Sequence, residues 1–85
     1  MKHASPAVLD AIAPLLAEVR GVPGLVERSR GVFYRKGRAF LHFHEDPKGI
    51  FADVRDSDGR DFERIEVSGD AGRQRLLAAA RARAG

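Results

Sequence analysis

Val32-Phe33-Tyr34-Arg35-Lys36-Gly37-Arg38-Ala39-Phe40-Leu41-His42-Phe43-His44 is the stretch that decides the fold. Aromatic and branched residues fill both arms. Lys36-Gly37 stands between them, and glycine tolerates the positive φ that a two-residue turn demands, so the stretch predicts a β-hairpin. Downstream, Asp46-Pro47-Lys48-Gly49 predicts a turn. Ile50 to Arg55 and Phe62 to Val67 predict two further strands, separated by the polar loop Asp56-Ser57-Asp58-Gly59-Arg60-Asp61. Ser68 or Asp70 is expected to cap a last helix with Leu76, Leu77, Ala80 and Ala84 as its apolar positions.

Upstream of the hairpin, Val22-Pro23-Gly24 reads as a turn and Leu25 to Arg30 as a short edge strand. Ser5-Pro6 is a helix start, with Ser as N-cap and Pro at the first helical position. Val8, Leu9, Ile12, Leu15, Leu16 and Val19 follow at helical spacing. Pro14 interrupts that stripe and is expected to break the helix, and Gly21 to cap its end. The order predicts an α+β domain over residues 1–85: an N-terminal helix broken at Pro14, an antiparallel meander of three to four strands, and a C-terminal helix. Both helices are expected on one face of the sheet.

At 85 residues the chain is one domain with a small core. It has no cysteine, which excludes disulfides, thiolate metal sites and a cysteine nucleophile. No apolar run reaches membrane-spanning length, and Met1-Lys2-His3-Ala4-Ser5-Pro6 lacks the apolar core of a signal peptide, so a cytoplasmic protein is expected. There is no internal repeat and no low-complexity tract. The net charge of +3 conceals a segregation: +1 over residues 1–31, +3 over 32–44, −5 over 45–70 and +4 over 71–85. An acidic segment inside so small a chain argues against one dominant basic field.

With Lys36-Gly37 as the turn, simple alternation pairs Phe33 with Phe40 and Val32 with Leu41. Carried across the next turn, it sets Phe43 against Ala52, His44 against Phe51 and His42 against Asp53. One face then holds Val32, Tyr34, Ala39, Leu41, Phe43, Ile50, Ala52, Val54, Ile65 and Val67, and belongs under the helices. The other combines Phe33, Phe40, Phe51 and Phe62 with Arg35, Arg38, Arg55, Arg64, His42, His44, Asp53 and Glu66. Four phenylalanines on one exposed face exceed what monomers expose, so this face is expected to be covered by a second copy, a chain segment or a ligand.

His42-x-His44-x-Asp46 puts three potential ligands on one side of a strand, with the histidine Cβ atoms about 7 Å apart. Two such histidines can share a metal, and Asp46 could complete a facial triad; Glu45 or Asp53 would have to turn in as a further ligand. The competing expectation is two half-buried histidines bonded across the sheet, His42 against Asp53. A His–Asp pair also has the makings of a general base, but no serine stands beside it. The loop at residues 56–61 lacks the later bidentate glutamate of a calcium loop, and Gly69-Asp70-Ala71-Gly72 lacks the Gly-Lys-Ser/Thr of a phosphate loop.

Pro23-Gly24-Leu25-Val26-Glu27, Val32-Phe33-Tyr34-x-x-Gly37-Arg38-Ala39-Phe40 and Gly49-Ile50-Phe51-Ala52-Asp53-Val54-Arg55 together resemble the opening of MmcQ/YjbR-like proteins. That resemblance implies a small bacterial α+β fold and DNA binding. Arg38-x-Phe40-Leu41-His42-Phe43-His44 with Asp53-Val54-Arg55 is also similar to the small bacterial and archaeal domain labelled luciferase-like. Its His-x-His strand end and Asp-containing strand imply a role for His42, His44 and Asp53.

The sequence thus leads to a non-enzymatic binding or assembly domain without a cofactor. It is expected to form a homodimer through Phe33, Arg35, Arg38, Phe40, His42, His44, Phe51, Asp53, Arg55 and Arg64. One alternative is nucleic-acid binding, with Arg35, Lys36, Arg38 and the last helix's arginines on phosphates and Phe33 or Phe40 stacking bases. The other is a metal or small-molecule site at His42 and His44.

Overall fold

A computed structural model describes residues 1–85. The elements in chain order are β1 (Lys2–His3), α1 (Pro6–Ala11), α2 (Ala13–Arg20), β2 (Leu25–Ser29), β3 (Val32–Arg35), β4 (Arg38–Asp46), β5 (Gly49–Arg55), β6 (Phe62–Glu66) and α3 (Asp70–Ala84). The fold is α+β, as the order of signals predicts. Strands β2 to β6 form an antiparallel meander in chain order. The short β1 adds a sixth strand, pairing antiparallel with His44 and Glu45 along the edge of β4 that β3 leaves free beyond His42.

Local chemistry explains the ends of the elements. The Ser5 hydroxyl accepts from Val8 N at 3.3 Å, and Pro6 occupies the first helical turn. The N-terminal helix breaks at Ile12, just before Pro14, giving two short helices. Lys36 and Gly37 have φ of 52° and 79°, the double left-handed geometry that returns the hairpin in two residues. Pro47 and Lys48 turn β4 into β5, with Asp46 Oδ1 accepting from Lys48 N at 3.0 Å. Helix α3 is capped by neither expected side chain. Gly69 is its N-cap without a side-chain bond, and the Ser68 hydroxyl instead accepts from Ile50 N at 2.9 Å.

All three helices pack on one face of the sheet. Leu9, Ile12, Leu15, Leu16 and Val19 meet Leu76, Leu77, Ala80 and Ala84 over Leu41, Phe43, Ala52, Val54, Ile65 and Val67. Each large aliphatic or aromatic side chain removed from water there contributes about 1.5–3 kcal/mol. Close approach of α3 to the end of β6 requires Gly72, because a Cβ at that position would collide with the Glu66 carbonyl oxygen.

The β3–β4 register departs from simple alternation. Arg35 pairs with Arg38 and Tyr34 with Ala39, as expected, but Phe33 then pairs with Leu41 and Val32 with His42. One extra residue in β4, a β-bulge around Phe40, causes the slip. It turns over the outer half of the hairpin. Phe33 and Phe40, expected on the uncovered face, lie in the core at 1% and 4% exposure. Val32, Tyr34 and Ala39, expected under the helices, align with the uncovered face. From Leu41 onward the expected pairing holds: Phe43 with Ala52, His44 with Phe51 and His42 with Asp53.

Candidate functional site

The uncovered face is organised around its histidines. His42 and His44 are alternate residues of β4, so both project from the same side of the sheet, opposite Phe43. Asp53 faces His42 from β5, and Arg64 faces Asp53 from β6. His42 Nδ1 and His44 Nε2 approach to 2.8 Å. His44 Nε2 also lies 3.3 Å from Asp53 Oδ2. The cross-strand contact to the carboxylate is therefore made by His44, on the diagonal, rather than by the directly opposed His42. The ligand atoms of His42, His44 and Asp53 all lie within 4.8 Å of one another.

Arg64 grips Asp53 with both arms of its guanidinium, Nε to Oδ1 at 2.8 Å and Nη2 to Oδ2 at 2.9 Å. This fork holds the Asp53 carboxyl below the usual carboxylate range, against the opposing effect of burial. Arg64 is shifted up by the same contact. The His42 imidazole is pushed down, chiefly because burial disfavours its charged form, with His44, His3 and Arg64 adding repulsion and Asp53 opposing them. His44 Nδ1 is buried without a hydrogen-bond partner.

His3 completes the cluster and is invisible to sequence reading. The two residues of β1 have no periodicity to detect, yet they set His3 opposite His44. The His3 ring stacks on His44 at 5.3 Å between centroids and lies 6.3 Å from His42. Phe62 closes the other side, edge-on to His42 at 4.9 Å. Farther out, Arg55 lies over the Phe62 ring at 4.5 Å and Arg28 over the Tyr34 ring at 4.6 Å. Phe51, half-buried, aligns with Glu66 on this face.

The remaining sequence candidates go elsewhere. Asp46 does not join the histidines and instead serves the β4–β5 turn. Glu45 accepts from the Ser5 amide at the start of α1. Arg35 donates to the Ala84 and Gly85 carbonyls at 2.9 and 3.2 Å, which ties β3 to the end of α3. Arg38 reaches the Gly59 carbonyl at 3.1 Å. Arg55 donates to the Ala39 carbonyl at 2.8 Å, and Arg83 to the Arg55 carbonyl at 3.0 Å and Glu63 at 2.8 Å. These four arginines line one groove of about 240 Å³ together with Asp56 and Asp58.

No helix is long and apolar enough to cross a membrane. Two of the three large apolar side chains left exposed, Val26 at 59% and Phe62 at 38%, align with the uncovered face through their pairing with Tyr34 and Arg55. No protein-family model, curated protein or solved structure matches this chain.

Proposed function

We infer that the protein is a non-enzymatic binding module that self-associates through the uncovered sheet face. The observation that carries this reading is the one-sided packing. Three helices share one face, and the other presents Val26, Val32, Tyr34, Phe51 and Phe62 around a histidine cluster with no element of the chain over it. A patch that combines aromatic rings with arginines stacked on them has the composition favoured at the centre of protein interfaces. A two-fold arrangement would let the same patch serve both copies.

Nucleic-acid binding, which the MmcQ/YjbR-like resemblance suggests, has less support. Of the cations it would use, Arg35, Arg38, Arg73 and Arg83 donate to backbone carbonyls, which leaves Lys36, Arg75 and Arg81. Phe33 and Phe40 are buried and unavailable for stacking on bases.

Light scattering across a concentration series tests the proposal. The mass is expected to rise above 9.3 kDa with concentration. Tyr34→Asp combined with Phe62→Asp is expected to return it to that value with the fold intact by circular dichroism. A mass that stays at one chain throughout overturns self-association. Salt-sensitive DNA binding by such a monomer would put the nucleic-acid reading in its place.

A further inference from the structure

We propose that His42, His44 and Asp53 form a binding site for a divalent first-row transition-metal ion. The site is complete within one chain, so it stands or falls independently of self-association.

Three features of the geometry carry this. The first is convergence. His42 Nδ1 and His44 Nε2 lie 2.8 Å apart, with Asp53 Oδ2 3.3 Å from the latter. Two imidazole nitrogens this close share at most one proton when both rings are neutral, and a metal ion uses both lone pairs at once. The second is rigidity. All three donors stand on the paired central strands β4 and β5 rather than on loops, and Asp53 is held by Arg64. Each carboxylate oxygen has a second lone pair, so the Arg64 fork orients Asp53 and still leaves donor capacity for an ion. The third is the donor set. Two imidazoles and one carboxylate suit zinc, cobalt or iron(II), and disfavour calcium and magnesium, which take oxygen shells.

The spacing also bears on coordination shape. An ion about 2.1 Å from each of two nitrogens 2.8 Å apart subtends an angle of about 84° between them. That is nearer the right angle of adjacent octahedral positions than a tetrahedral angle. The three protein donors would occupy one facet, leaving the outward positions to water or to a ligand from solution. His3 stacks on His44 rather than pointing a nitrogen into this group, and is not assigned as a ligand.

Calorimetric titration of the untagged full chain with zinc at neutral pH tests the site. One ion per chain is expected. His42→Ala and His44→Ala should each weaken binding at least tenfold, Asp53→Asn should weaken it less, and His3→Ala should change it by no more than threefold. Calcium and magnesium should give no binding heat. A second measurement needs no variant: substoichiometric cobalt(II) should broaden the ring proton resonances of His42 and His44 before those of His3. Three results would each overturn the site: no zinc bound at millimolar concentration, affinity retained in His44→Ala, or loss confined to His3→Ala.

Discussion

The two faces of this sheet are built from the same strands and solve opposite problems. Under the helices, Phe33, Leu41, Phe43, Ala52, Val54, Ile65 and Val67 are stripped of water and hold the fold by apolar burial. On the other side, His42, His44, Arg64 and Phe62 keep contact with solvent around the buried Asp53, and the cluster is held by charge, hydrogen bonds and ring contacts. The difference is that one face is over-determined by packing and the other by pairing. A substitution on the first should cost stability; one on the second should cost binding. The β-bulge at Phe40 draws the line between them, because it decides which side of the sheet each residue of the hairpin's outer half occupies.

The largest expected effect breaks the comparison at its centre. Phe33→Ala leaves a cavity in the core and is expected to cost about 3–5 kcal/mol in urea denaturation. A cost near zero would place Phe33 on the open face and remove the bulge. Next comes Gly72→Ala, whose methyl group collides with the Glu66 carbonyl and forces α3 away from the sheet. A loss of about 1–3 kcal/mol is expected by the same measurement. Tyr34→Ala, one residue along from Phe33 but on the opposite face, should cost less than about 1 kcal/mol of monomer stability, as surface changes do. A cost matching that of Phe33→Ala would mean that simple alternation holds in β3.

The smallest effect concerns a pair on the helix-side margin of β2. The Glu27 carboxylate accepts from Arg20 Nε at 2.6 Å and from Gly31 N at 2.9 Å. The contact with Arg20 holds its ionisation below the ordinary range. A carboxyl shifted down on folding contributes stability above its unfolded value and loses it as pH falls through the folded value. The stability gap between the native chain and Glu27→Gln should therefore be present at neutral pH and close in acid. A gap that widens in acid would contradict the ion pair.

Much of the fold is legible in local sequence. The Lys36-Gly37 turn, the Ser5-Pro6 helix start, the break before Pro14 and the apolar positions of α3 are each set within a few residues by steric or capping chemistry. So is the pairing of β4 with β5, since their short turn fixes the register. His42, His44 and Asp53 were readable as neighbours for that reason. The bulge was not, because Ala39-Phe40-Leu41 carries no glycine or proline to mark it, and three successive apolar residues suit either register. His3 was not readable either, since two residues cannot show a period.

By itself, then, the sequence determined the helices, the turns that join the strands after β1, their order and the strand pair bearing the histidines. All of these rest on interactions between residues close along the chain. Only the tertiary structure decided how the phenylalanines divide between the faces. Phe33 and Phe40 can serve either side of a strand, and the apolar surfaces of three helices, distant in sequence, draw them into the core. The same packing leaves the open face with fewer phenylalanines than alternation predicts. Its centre is two imidazoles and a carboxylate whose ligand atoms lie within 4.8 Å of one another.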